Sequence, residues 1–88
     1  MLICIDYDGI YTEDPGLWQR FITDAIKSVY KVICAIMRYE EENIDPRLRD
    51  SVDIIYTNRK AKIKYLAELG IVPDIWIDDN PSWLFTNG

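Results

Sequence analysis

Four short runs of β-favouring residues punctuate the chain. Leu2-Ile3-Cys4-Ile5 leads into Asp6-Tyr7-Asp8, which predicts a strand over residues 2–7 that stops at a turn on Gly9. Val32-Ile33-Cys34-Ala35-Ile36-Met37 is unbroken in its hydrophobicity. Continuous rather than alternating apolar residues fit a strand covered on both faces, as in parallel sheets. Residues 52–57 and 75–77 predict two further strands. Between the first two, Asp14-Pro15 is a helix start signal, with Asp as cap and Pro at the first helical position. The spacing of Trp18, Phe21, Ile22, Ala25, Ile26, Val29 and Tyr30 predicts a helix to about residue 30, with those side chains on its buried face. Gln19, Arg20, Asp24 and Lys27 fall on the opposite, polar face. Residues 38–45 read as a polar loop whose Glu40-Glu41-Glu42 run is solvated. Pro46 to Ser51 predicts a short helix, and Lys60 to Leu69 a longer one closed by Gly70. Asn80-Pro81-Ser82 opens a turn, with Trp83, Leu84 and Phe85 packing the tail.

Strands thus alternate with helices, joined by connections of crossover length. That order predicts an α/β fold with a parallel sheet and helices on both faces, a three-layer Rossmann-like arrangement. The 88 residues allow a single domain over residues 1–88. No internal repeat and no low-complexity tract interrupts it.

Composition narrows the chemistry. The chain carries 10 Lys+Arg against 15 Asp+Glu, a net charge of -5, and no His. Without His there is no Ser-His-Asp relay and no imidazole zinc ligand. An acidic balance argues against a dedicated nucleic-acid surface, because phosphate neutralisation needs basic residues in excess. Carboxylates without His suit a hard cation such as Mg2+. The two cysteines, Cys4 and Cys34, lie inside apolar runs and read as buried free thiols of a cytoplasmic protein. The N-terminus lacks the basic start and cleavage site of a signal peptide, and no apolar run is long enough to span a membrane.

The carboxylates are not scattered. The first strand ends in Asp6-Tyr7-Asp8-Gly9 and the fourth in Asp78-Asp79. Ligands of open α/β sheets bind at the carboxyl ends of the strands. If these two strands are neighbours, four carboxylates crowd one crevice, and their repulsion calls for a divalent cation.

Leu2-Ile3-Cys4-Ile5-Asp6-Tyr7-Asp8-Gly9 resembles the first signature of the haloacid dehalogenase superfamily, four hydrophobic residues followed by Asp-x-Asp-Gly. Ile75-Trp76-Ile77-Asp78-Asp79 resembles its fourth signature, and a lysine near the start of the last helix resembles its third. The resemblance spans essentially the whole chain in the right order. It implies a capless domain with strand order 4-1-2-3 and a Mg2+-dependent phosphohydrolase. By that resemblance Asp6 is the nucleophile that forms an aspartyl-phosphate, and Asp8 is the general acid and then base. Asp78 and Asp79 hold Mg2+ together with the Asp6 carboxylate and the Asp8 carbonyl, and Lys62, with Lys60 as second choice, neutralises the phosphoryl oxygens. Gly9 brings backbone N–H groups to the phosphate, with Arg38 and Thr57 as further phosphate ligands. A receiver domain, which also uses carboxylates, lysine and Mg2+, is disfavoured because Tyr56-Thr57 stands where its phosphorylated Asp belongs.

Two positions depart from the family pattern. Ile10 follows Gly9 where Thr is usual, and Ile36 stands where a phosphate-binding hydroxyl is expected. Losing such a hydroxyl costs roughly 1–3 kcal/mol of transition-state stabilisation. The alternative reading is therefore a catalytically impaired module that binds a metal or a phosphorylated partner. No insertion is large enough for a cap domain. An open site implies a phosphorylated substrate, small or macromolecular, or a partner subunit that roofs the crevice. A nucleic-acid end fits that openness, although the charge does not indicate one. Tyr7, Tyr11, Tyr39, Trp76 and Trp83 are the aromatic residues expected near it.

Overall fold

The computed structural model describes residues 1–40 and 42–88, so Glu41 of the acidic run lies outside the described residues. Four strands, β1 (Leu2–Ile5), β2 (Lys31–Ile36), β3 (Asp53–Tyr56) and β4 (Ile75–Ile77), form one sheet. Every pairing is parallel. The order across the sheet is β3-β2-β1-β4, which is 4-1-2-3 counted from the β4 edge. The chain steps from β1 to β2 to β3 in one direction and then returns to the far side of β1. The switch point therefore lies between β1 and β4, where open α/β sheets place their ligands.

Helices α1 (Pro15–Lys27), α2 (Pro46–Ser51) and α3 (Lys62–Glu68) cover the sheet. Strand alternation sorts the core into two layers. Ile3, Ile5, Val32, Cys34 and Ile36 pack with Ile22 and Ala25 of α1 and Leu48 of α2. Cys4, Ile33 and Ala35 pack on the other face against Leu66 of α3. Cys4 and Cys34 are both free and buried, and they face opposite layers. Among the described residues, no helix is long and apolar enough to cross a membrane.

The helix ends show what the sequence pattern overreached. Asp14 caps α1 as expected, accepting from Leu17 N–H at 3.2 Å. The helix stops at Lys27, not near residue 30, and Ile26, Val29 and Tyr30 are exposed. Two backbone bonds close it, from Val29 N–H to Ile26 C=O and from Tyr30 N–H to Ala25 C=O, with Val29 at φ 68°. This is the Schellman pattern, with Val29 in the left-handed position that glycine normally fills. The chain must reverse here so that Lys31 N–H can bond Met1 C=O and start β2. The same pattern closes α3, where Gly70 takes the left-handed position at φ 78° without strain.

Gln19, expected on the solvent face, faces inward instead. Its Nε2 donates to Tyr11 Oη at 2.9 Å, and Ser51 Oγ donates to its Oε1 at 3.3 Å. Tyr7 and Tyr11, expected at the crevice, are buried and stacked at 5.7 Å between ring centroids. Tyr11 Oη donates to Asp45 Oδ2 at 3.0 Å, and Asp45 N–H donates to Tyr7 Oη at 2.9 Å. Asp45 also caps α2 through Arg47 N–H at 2.9 Å. The network ties the loop after β1 to both helices of one layer.

Hydrogen bonds from the Arg47 side chain lower the Asp45 carboxyl to about 2. A depressed carboxyl contributes stability above its unfolded value and loses it as pH falls toward the folded one. We expect Asp45→Ala to cost about 1–2 kcal/mol at pH 7. The difference from the unsubstituted chain should shrink between about pH 4 and pH 2. Urea unfolding across that range checks both; a loss that does not vary with pH would remove the charge from the explanation.

Candidate functional site

The site is built where β1, β4 and α3 converge. Asp6 follows β1, and its N–H still donates to Ile77 C=O at 2.9 Å, so the ladder runs one step past the strands. Its parity places it on the α3 face with Cys4, opposite Ile5 and Tyr7. Asp78 and Asp79 follow β4 beside it. Lys62 is the first residue of α3. Its ammonium donates to Asp6 Oδ1 at 2.8 Å and to Asp78 Oδ2 at 2.7 Å. All three side chains are nearly sealed from water, at 9%, 3% and 3% exposure for Asp6, Lys62 and Asp78. Carboxylate oxygens of Asp6, Asp78 and Asp79 lie within 4.8 Å of one another.

One ammonium thus serves three carboxyl groups, and this excess of negative charge decides the protonation balance. Burial pushes the Asp6 carboxyl up to about 7; Lys62 pulls it down, and Asp78 and Asp79 push it up again. Burial favours neutral Lys62, but its bonds to Asp6 and Asp78 outweigh burial and hold the ammonium above its ordinary value. Asp6 Oδ1 is doubly engaged, accepting also from Tyr7 N–H at 2.8 Å. No described residue donates to Oδ2, which leaves that oxygen available to a ligand.

Gly9 is required by two constraints. Its φ is +86°, and a Cβ there would lie 2.1 Å from Asp79 Oδ2. The positive φ favours glycine, and a Cβ there would push aside the Asp79 carboxylate that the turn after β1 meets.

Other expected residues fall elsewhere. Asp8 lines the crevice but is not in the three-carboxylate group. It is held by Arg38, with Nη2 to Oδ1 at 2.7 Å and Nε to Oδ2 at 3.1 Å. Arg38 in turn lies over the Tyr7 ring at 5.4 Å and is occupied by Asp8 rather than facing the crevice. Thr57 is completely buried, its Oγ1 has no hydrogen-bond partner, and it does not line the crevice. Ile36 is also fully buried, in the α1 layer. The side chain that reaches the crevice from the end of β2 is Met37, because alternation turns it to the face that Asp6 occupies. Lys60 and Lys64 are exposed and border a separate depression beside Tyr65. Trp76 packs in the α3 layer.

The crevice itself measures about 420 Å³. Besides the acids and Lys62 it is bordered by Met37, Arg59, Asn80 and Trp83. Of these, Arg59 is the charged residue that sequence reasoning missed. Thr57-Asn58-Arg59 carried the signal, through its Thr-x-Arg spacing, although the arginine rather than the threonine reaches the site. Comparison of the chain with known protein families, curated proteins and solved structures finds no match in any of the three.

Two measurements follow from the charge balance. Lys62→Met leaves buried carboxylates facing each other and should cost about 3–5 kcal/mol at pH 8. The cost should be smaller at pH 5, where Asp6 takes up a proton; equal costs in urea unfolding at both values would refute the repulsion. Added Mg2+ should raise the melting temperature more at pH 8 than at pH 5, since ligands must be ionised to bind it. Asp79→Asn should diminish that rise, and a melting temperature indifferent to Mg2+ would show that the cluster holds no cation.

Proposed function

We propose that this chain is a Mg2+-dependent phosphohydrolase of the haloacid dehalogenase type, acting through an aspartyl-phosphate on Asp6. The observation that supports it most is the Lys62 ammonium lying between Asp6 and Asp78 at the β1–β4 switch point. A carboxylate nucleophile and a phosphate are both anions, and they meet only where fixed positive charge offsets their repulsion. The donor set is oxygen only, which suits a hard dication. Asp6, Asp78 and Asp79 are the residues that would hold Mg2+, which when bound supplies Lewis-acid stabilisation of the phosphoryl oxygens.

In this reading Asp6 Oδ2 attacks phosphorus and the bond to the leaving oxygen breaks. Asp8 gives that oxygen a proton. Water then attacks the phosphorus of the aspartyl-phosphate, Asp8 takes its proton, and phosphate leaves with Asp6 restored. Lys62 keeps Oδ1 fixed and Oδ2 turned outward throughout. Asp8 must part from Arg38 to act. An incoming phosphate offers the guanidinium a competing oxyanion and so favours that exchange. The connections after β1 and β3 are short, so no cap closes the crevice and the substrate binds in an open groove. The two buried free thiols fit a reducing cytoplasm.

A second reading has its own support. Met37 presents a thioether at the end of β2 where a phosphate-binding hydroxyl would be useful, and Asp8 is occupied by Arg38. Both features fit a module that binds a metal or a phosphorylated partner without turning it over.

Hydrolysis of an aryl phosphate separates the two. The first reading expects slow, Mg2+-dependent release that Asp6→Asn abolishes, a loss of at least about a thousandfold for a missing nucleophile. Absence of metal-dependent turnover at high enzyme concentration would leave the binding module.

A further inference from the structure

Three cations stand near the crevice, and two are already committed. Lys62 is buried between Asp6 and Asp78, and Arg38 is bonded to Asp8. Arg59 is different. It borders the crevice with its side chain half exposed, and among the described residues its ion-pair partner is Glu42, at 3.7 Å, beyond hydrogen-bond distance. Its guanidinium lies over the Tyr39 ring at 5.8 Å.

The backbone beneath it is unusual. Asn58 and Arg59 are consecutive non-glycine residues at positive φ, 53° and 63°. Such conformations persist only where their surroundings enforce them, and they cluster at binding sites. Here Asn58 N–H donates to Arg38 C=O at 3.2 Å, and Gly88 N–H donates to Arg59 C=O at 2.8 Å. The segment is tied down from both sides, and the arginine is carried to the lip of the crevice as a consequence.

We infer that Arg59 is a specificity-determining residue that binds a second anionic group on the substrate, so that the preferred ligand carries an oxyanion besides the phosphate directed at Asp6. A guanidinium backed by an aromatic face offers its donor fork to a phosphate or carboxylate oxygen pair with little freedom left to lose. The weak contact with Glu42 is readily exchanged for such a partner. In an uncapped crevice, discrimination must come from the rim, and among the described residues that border it Arg59 is the cation with no hydrogen bond to a carboxylate. The kinetic form of this inference rests on the phosphohydrolase reading; its binding form does not.

The test compares ligands differing only in the second anion. Fructose 1,6-bisphosphate against fructose 6-phosphate reads a second phosphate, and 3-phosphoglycerate against glycerol 3-phosphate reads a carboxylate. With Mg2+ present, the unsubstituted chain should favour one doubly anionic ligand by about tenfold or more in kcat/KM. Arg59→Gln should bring that ratio near one, and Arg59→Lys should retain part of it. The same pairs titrated onto Asp6→Asn by tryptophan fluorescence or calorimetry, with and without Arg59→Gln, give the binding ratio whether or not turnover occurs. A binding ratio that collapses with Arg59→Gln supports the inference even where hydrolysis is absent. A ratio unaffected by Arg59→Gln, or no preference for either doubly anionic ligand in the unsubstituted chain, overturns it.

Discussion

The ammonium of Lys62 is the point on which the rest of the structure converges. It joins residues from three distant parts of the chain: the end of β1, the end of β4 and the start of α3. A lysine drawn out of water is costly, and so is a carboxylate. Each is tolerable only because the other is there at hydrogen-bond distance. The contact therefore fixes how α3 enters the sheet and how closely β4 lies beside β1. It does so without neutralising the site, because Asp79 stands beside the pair with no ammonium of its own.

Around that contact the loops are set by close approach. Gly9, at positive φ, passes against the Asp79 carboxylate that a Cβ would displace, which brings the turn after β1 onto the acidic pair after β4. On the opposite layer, Tyr7 and Tyr11 anchor the same loop to α1 and α2 through Asp45 and Gln19. The loop that carries Asp6 and Asp8 is thus held from both faces of the sheet. A site assembled from rigid strand ends and a doubly anchored loop keeps its oxygens in place without a ligand, which is the precondition for binding an ion or a phosphoryl group selectively.

Much of this was readable from the residues, and the failures have physical reasons. Apolar continuity located all four strands, and Asp14-Pro15 and Gly70 marked helix ends, because those signals are local. The resemblance singled out Asp6 and Lys62, which the fold brings to hydrogen-bond distance. The end of α1 was misplaced because Val29 adopts a left-handed conformation that its side chain disfavours, imposed by the reversal into β2. Ile36 was placed at the crevice because the resemblance puts a phosphate-binding hydroxyl at that position, and Tyr7 because it lies between Asp6 and Asp8. Strand parity puts them on the far face, and parity depends on where the strand ends and on a register, Ile5 beside Cys34, that is a tertiary fact. That the Asp8 carboxylate is held by Arg38, thirty residues on, was not legible, because proximity in sequence says nothing about a distant partner.

Buried polarity is unevenly distributed in this domain. Beside the sealed side chain of Asp78, the buried polar or charged residues among those described are Asp6, Thr57 and Lys62. All three lie at the carboxyl edge of the sheet or in the segment that follows it. A domain this small has a lean core, and apolar side chains of similar volume at these places would stabilise it at least as well. The Thr57 hydroxyl, buried without a partner, is a clear instance, since a valine would fill the space without the desolvation cost. Buried polarity of this kind collects at one edge, beside the left-handed Asn58-Arg59 pair, whereas the left-handed Val29 is imposed by the turn into β2; such a collection is where a functional site is expected.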